Sequence, residues 1–142
     1  KSRLFSSEDM GARWTAMPVP VLQGRPTTGI FSFAFSGRLN GVVVGGDYLR
    51  DTLKQDHVFY TRDGGATWLK PRVATGGYRE CVEFISPNQL LAVGPSGIEI
   101  SHDGCLTWIR LSSNKGFHVG RRARNGSLVI LAGSGGKVAV LK

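Results

Sequence analysis

All three tryptophans of this chain stand in one recurring phrase. Aligned on Trp, the copies read Ser7-Glu8-Asp9-Met10-Gly11-Ala12-Arg13-Trp14, Thr61-Arg62-Asp63-Gly64-Gly65-Ala66-Thr67-Trp68 and Ser101-His102-Asp103-Gly104-Cys105-Leu106-Thr107-Trp108. Hydroxyl, Asp and Trp hold register throughout. Gly stands two places after Asp in the first two copies, and Cys105 takes that place in the third. Thr precedes Trp in the second and third, where the first has Arg13. Self-similarity at a fixed period outranks any local signal, because it dictates a repeated supersecondary unit.

The intervals say which unit. Asp9 and Asp63 lie 54 residues apart, Asp63 and Asp103 lie 40 apart, and about 40 residues make a four-stranded propeller blade. The longer interval carries the polar stretch 47–56, which reads as an inserted loop. Short β-rich runs broken by Gly, Pro and Asn predict strands at 29–36, 41–46, 57–61, 68–73, 77–85, 89–93, 98–101, 108–111, 116–124, 127–132 and 137–141, with another near 1–6. No stretch of ten or more residues has a helical period. With strands lettered A (innermost) to D (outermost), the chain reads C-D, A-B-C-D, A-B-C-D, A-B-C. The expected fold is all-β, an incomplete β-propeller of about three antiparallel blades. Residues 1–142 form one partial domain. Residues 1–23 end a first blade, 24–73 are a second carrying the 47–56 insertion, 74–113 a third, and 114–142 an incomplete last one.

The phrase has a mechanical logic. A Ser, Thr or Asp side chain can accept from backbone N–H groups a few residues on and close a tight hairpin. Gly supplies the positive φ of such a turn, and Trp opens the next strand with a large apolar surface. Three equivalent carboxylates around a ring would face three different places, which a single active site cannot use. Ser7, Asp9, Gly11 and Trp14, then Thr61, Asp63, Gly65, Thr67 and Trp68, then Ser101, Asp103, Thr107 and Trp108 are therefore read as structural, and no catalytic residue is assigned.

These segments resemble the Asp-box (BNR) repeat, Ser/Thr-x-Asp-x-Gly-x-Thr-Trp, of sialidases, some glycoside hydrolases and sortilin-type receptors. In those families the box is a turn remote from the active site, so it implies fold and not activity. Further phrases are similar to bacterial propellers grouped with photosystem II assembly and stability factors: Thr27-Thr28-Gly29-Ile30-Phe31-Ser32, Val44-Gly45-Gly46-Asp47-Tyr48, Gly77-Tyr78-Arg79-Glu80-Cys81-Val82 and Gly116-Phe117-His118. That likeness implies an exported, non-catalytic binding propeller, here its C-terminal half, with an unidentified protein or glycan partner.

Where blades differ is where binding is usually placed. The starts of the A strands align as Gly29-Ile30-Phe31, Gly77-Tyr78-Arg79 and Gly116-Phe117-His118, so Arg79 and His118 are expected to point at one mouth of the channel. The loops between B and C strands open on that same face, opposite the Asp turns, and bring Asp47 and Tyr48 nearby. Asp47, Tyr48, Arg79 and His118 are the expected ligand site, for an anionic or sugar ligand. The alternative is a sialidase-like glycoside hydrolase, which would need an arginine cluster, a Tyr–Glu pair and an acid. Residue types are available, but adjacent strand residues alternate faces, so Tyr78 and Glu80 cannot share Arg79's direction. An Arg-Ile-Pro-type segment is absent from the sequence.

Composition narrows the partners. A net charge of +8 and pI near 10.1 favour an acidic partner. The basic residues are dispersed, with only Arg121, Arg122 and Arg124 clustered, which argues against nucleic acid. Cys81 and Cys105 show neither metal spacing nor a disulfide framework, so both are expected unpaired. The sequence carries no zinc signature, phosphate loop or hydride-cofactor motif, so neither metal nor cofactor is implied. No run of about 18 apolar residues could span a membrane as a helix. The chain opens on Lys1 rather than Met. The missing strands are expected from a longer chain, or less simply from a second copy, since doubling gives about twenty-six strands against the twenty-eight of seven blades.

Overall fold

The described residues fold into twelve short strands because their β-branched and aromatic runs are punctuated every few residues by turn formers. The computed structural model describes residues 2–142; Lys1, in the expected first strand, lies outside the described residues. Arg3–Ser6 (β1) pairs with Thr15–Pro18 (β2). Thr28–Ser36 (β3), Asn40–Asp47 (β4) and Val58–Thr61 (β5) form a second sheet in that order. Cys81–Ser86 (β6), Gln89–Gly94 (β7), Gly97–Ser101 (β8) and Ile109–Ser112 (β9) form a four-stranded third. Phe117–Arg122 (β10), Val129–Gly133 (β11) and Val138–Leu141 (β12) form the fourth. Every pairing within the sheets is antiparallel.

The expected strands 68–73 and 77–85 are cut back furthest from what the sequence suggested. Of residues 68–73 only Leu69 pairs with its own sheet, exchanging both backbone bonds with Tyr60 (2.9 and 2.8 Å). Pro71 has no N–H to continue a ladder. The segment instead crosses to the third Asp turn, where Arg72 N–H donates to the Leu106 carbonyl (2.8 Å) and Trp108 N–H to that of Val73 (3.0 Å). Strand β6 begins at Cys81 rather than 77, because the residues before it bond elsewhere: Tyr78 N–H to Asp51 O (2.8 Å) and Arg79 N–H to Gly45 O (3.2 Å).

The Asp turns join β1 to β2, β5 to Leu69 and β8 to β9, and their bonds repeat. In the second, Thr61 Oγ1 donates to Asp63 Oδ1 (2.7 Å) and accepts from Gly65 N–H (2.9 Å), while Asp63 Oδ1 accepts from Thr67 N–H (2.9 Å). In the third, Ser101, Asp103, Cys105 and Thr107 make the same three bonds at 2.9, 2.9 and 2.8 Å. In the first, Ser7, Asp9, Gly11 and Arg13 do so at 2.9, 2.7 and 2.8 Å. The turn needs two consecutive left-handed residues: Gly64 and Gly65 at φ 74° and 97°, Met10 and Gly11 at 59° and 94°, Gly104 and Cys105 at 68° and 81°. Each imperfect copy thus places one side chain where Gly is favoured. In the third copy that side chain has a use, since Cys105 Sγ accepts from the buried Trp108 indole N–H (3.3 Å). Trp68, beside Gly65, has no such partner.

Sheets stack face to face along an arc. Leu4, Val58 and Ile98 occupy the same repeat position, and each packs forward onto the next sheet. Leu4 meets Val43 and Phe59, Val58 meets Val82, Leu90 and Trp108, and Ile98 joins Phe117, Val129 and Leu131. Among the described residues β1 pairs only with β2 and β12 only with β11, so no ring closes between them. At the arc's ends Trp14 stays 62% exposed, against 4% for Trp108, and Val138 and Val140 face outward.

Candidate functional site

In an antiparallel meander the A–B and C–D turns share one face, and the B–C turns and sheet-to-sheet connections share the other. The starts of β3 and β10, the segment Gly76 to Glu80, the loop after β4 and the turn Ser134–Gly136 therefore gather opposite the Asp turns. This is the expected channel mouth, and the structure sorts its residues into two groups.

Arg79 is withdrawn from the mouth, a correction to the expected site. Its side chain is 0% exposed. Nε and Nη2 donate to Glu99 Oε2 (3.0 and 2.7 Å), and Nη1 donates to Tyr78 O (2.6 Å) and Ser96 Oγ (3.0 Å). Glu99 accepts Gly76 N–H as well (2.9 Å) and lies 3.6 Å from Arg110 Nη2. The pair fastens the entry of β6 to β8. Burial pulls the Arg79 guanidinium's pKa down and Glu99 opposes that shift. Asp47 is withdrawn too. Buried, it binds Arg50 Nε (2.8 Å) and caps Leu49 N–H (3.1 Å), and chiefly the Arg50 bond holds its carboxyl below the usual range. Both residues hold loops in place, because a buried charge must be paired where it lies.

Tyr48 and His118 do reach the mouth, each half-exposed. Tyr48 stands edge-on to Phe31 (6.1 Å between centroids) and at 6.5 Å from Tyr78, while Phe31 meets Tyr78 at 4.8 Å and 88°. Edge-to-face contacts of this kind fix ring orientation. Tyr78 is buried, and burial and then Glu80 push its phenol well above its ordinary pKa. Glu80 turns to His118, with Oε2 2.5 Å from Nδ1, and Ser134 Oγ is 2.6 Å from Nε2 on the other side of the ring. Tyr48, Tyr78, Glu80, His118 and Ser134 thus form a linked row, with Phe31 43% exposed at its edge.

Strand alternation held the signal for Glu80. Residues 78 and 80 share a side, and 79 takes the opposite one toward Glu99. Ser134 carried no sequence signal, since it arrives from a turn between β11 and β12. The 47–56 loop is seated by Gly77: at φ 128°, a Cβ there would lie 2.2 Å from the Asp51 carbonyl oxygen. Cys81 and Cys105 are both free and buried, and among the described residues no acidic, His or Cys cluster could hold a metal. Among the described residues no helix is long and apolar enough to cross a membrane.

Four stacked antiparallel sheets in meander order, with inner strands starting at a common mouth, define an open arc of β-propeller blades. Neither protein-family models nor curated proteins give a match to this chain. Among solved structures it is similar to YCF48 bound to D1 peptide, with a TM-score of 0.62 and 21% identity, over 87% of this chain and 44% of that one. It is also similar to an ancestral GH74 enzyme, with a TM-score of 0.53 and 18% identity, over 78% and 17%. The chain spans less than half the length of either.

Proposed function

We propose that this chain is a non-enzymatic binding unit of a propeller, and that its ligand surface is the mouth opposite the Asp turns. One observation carries the reading. Phe31 and Tyr48 stay half-exposed at the starts of inner structure while packed edge-on against the buried Tyr78, a pre-set aromatic edge beside the Glu80–His118 pair. Rigid exposed aromatics with a nearby polar pair suit a peptide, offering apolar area at low entropic cost and donors or acceptors for its backbone. The likeness to YCF48 bound to D1 peptide supports a protein partner. The hydrolase alternative loses support from Arg79, which faces Glu99 instead of a carboxylate ligand, and from Tyr78, whose buried phenol is held protonated. Export belongs to this reading on the strength of the sequence resemblance, and fractionation of cells making the native protein tests it.

A displayed peptide library selected on the wild-type chain supplies the probe. Tyr48→Ala and His118→Ala should each weaken the selected peptides roughly tenfold or more, a loss typical of interface anchors. Phe5→Ser, at an exposed aromatic far along the arc, should leave affinity unchanged. Peptides indifferent to both mouth variants would refute the site, and turnover of fluorogenic sialosides or glucosides would restore the hydrolase.

A further inference from the structure

Three side chains at the mouth stand in the order carboxylate, imidazole, hydroxyl. His118 Nδ1–H donates to Glu80 Oε2 (2.5 Å), and Ser134 Oγ–H donates to His118 Nε2 (2.6 Å). An orienting acid, a base and a hydroxyl in line form the arrangement that activates a serine nucleophile. The carboxylate fixes the tautomer: with the proton on Nδ1, the Nε2 lone pair is left facing Oγ. The chain's two other histidines make no such line. His57 is buried with Nε2 on the Thr75 carbonyl, and His102 meets Gln89.

The backbone places each member. β10 and β11 slip register between Phe117 and Val119, so His118 is the extra residue of a bulge, a device that re-aims a side chain. Glu80 precedes β6 and takes the side opposite the buried Arg79. Ser134 rides on a pinned turn. Its own N–H donates to the Gly116 carbonyl (2.9 Å), Gly133 N–H to that of Lys137 (2.9 Å), and Lys137 Nζ to that of Lys115 (2.9 Å). A Cβ on Gly133 would lie 1.8 Å from the Gly116 oxygen, so only glycine allows this close approach. All three side chains remain open to solvent, with His118 44% and Glu80 26% accessible and Ser134 exposed.

We propose that Ser134 is a covalent acceptor site that takes the acyl group of an activated ester or thioester, with His118 as base and Glu80 as positioning residue. Oγ bonds to the carbonyl carbon as the bond from that carbon to the leaving group breaks. The Oγ proton passes to Nε2 and then to the departing alkoxide or thiolate. The products are an O-acylserine and a free alcohol or thiol, with no change in oxidation state. Phe31 and Tyr48, half-exposed along the same row, offer apolar surface to the acyl chain. The step runs once per chain. A good leaving group departs with little help, whereas an O-acylserine is an ordinary ester whose hydrolysis needs donors aimed at its oxyanion. The Ser134 N–H is already committed to Gly116, and the site stands open to water. Acylation therefore marks the mouth without turnover, consistent with a non-enzymatic unit, and it does not depend on peptide binding there.

An activated ester tests it on the whole chain. p-Nitrophenyl butyrate should release a burst of about one nitrophenolate per chain, with a butyryl group that peptide mapping places on Ser134. Ser134→Ala should abolish the burst. His118→Gln should slow it roughly hundredfold, with partial recovery in added imidazole, which a merely structural histidine would not show. Glu80→Gln should slow it roughly tenfold or more at an unchanged urea midpoint, and the loss should shrink at alkaline pH, where hydroxide takes over from the imidazole. Ser113→Ala, at an exposed serine with no histidine beside it, should change nothing. No burst, acylation confined to amines, or a burst that survives Ser134→Ala overturns the proposal. Release that continues past one equivalent overturns the single-step claim and the non-enzymatic reading with it. Peptide selection involves no ester, so absence of a burst leaves the ligand surface standing.

Discussion

Glu99→Leu should be among the most damaging single substitutions in this chain. Arg79 is wholly buried, and Glu99 supplies its counter-charge and two of its four side-chain hydrogen bonds. Removing the carboxylate leaves a guanidinium in the interior with only Tyr78 O and Ser96 Oγ as partners, and frees Gly76 N–H as well. Breaking a buried pair from one side costs about 3–5 kcal/mol, a large share of the roughly 5–15 kcal/mol that holds a domain together. Nearby Arg110 adds repulsion once Glu99 is gone. Urea unfolding followed by Trp fluorescence measures the loss as a lower midpoint at unchanged slope. Arg79→Met with Glu99→Leu should recover most of it, because an apolar pair of similar volume carries no desolvated charge. A loss under about 1 kcal/mol for Glu99→Leu, or a double variant no better than the single, would refute the claim that this pair is a buried structural clamp.

Asp63 accepts from Thr67 side chain and backbone and from Thr61, which pulls its carboxyl from 3.8 to about 2. A depressed carboxyl contributes stability that is full above about pH 4 and is lost as pH falls toward 2. Asp63→Asn should flatten that limb of the stability–pH curve, and an unchanged limb would count against the turn's role. Cys105→Gly relieves a left-handed side chain worth about 1 kcal/mol. It also orphans the buried Trp108 N–H, at about 1–3 kcal/mol. A net destabilisation of roughly 1 kcal/mol by denaturant melts is expected, and stabilisation would show that strain dominates. Asp103→Ala removes three accepted hydrogen bonds and should cost about 1–3 kcal/mol while leaving peptide binding per folded molecule intact.

The Asp turns were legible in the sequence because each closes within a few residues. Ser7, Thr61 and Ser101 reach N–H groups only four places on, and the left-handed pair falls where Gly recurs. The order of strands within each sheet was legible too, since a repeat fixes the unit, whereas the packing of Leu4, Val58 and Ile98 onto the next sheet came from the structure. The destinations of Arg79 and Asp47 were not. Aligned positions alone placed Arg79 beside His118 at the mouth, whereas Glu99, 20 residues on in a different strand, draws it inside. A buried charge goes to its partner, and only the folded chain brings the two strands together. The same holds for Phe33, exposed, and Val82, buried, at one repeat position. The sequence determines which face of a strand is apolar, and the tertiary structure decides whether a neighbouring sheet covers it, because burial depends on what stands across the interface.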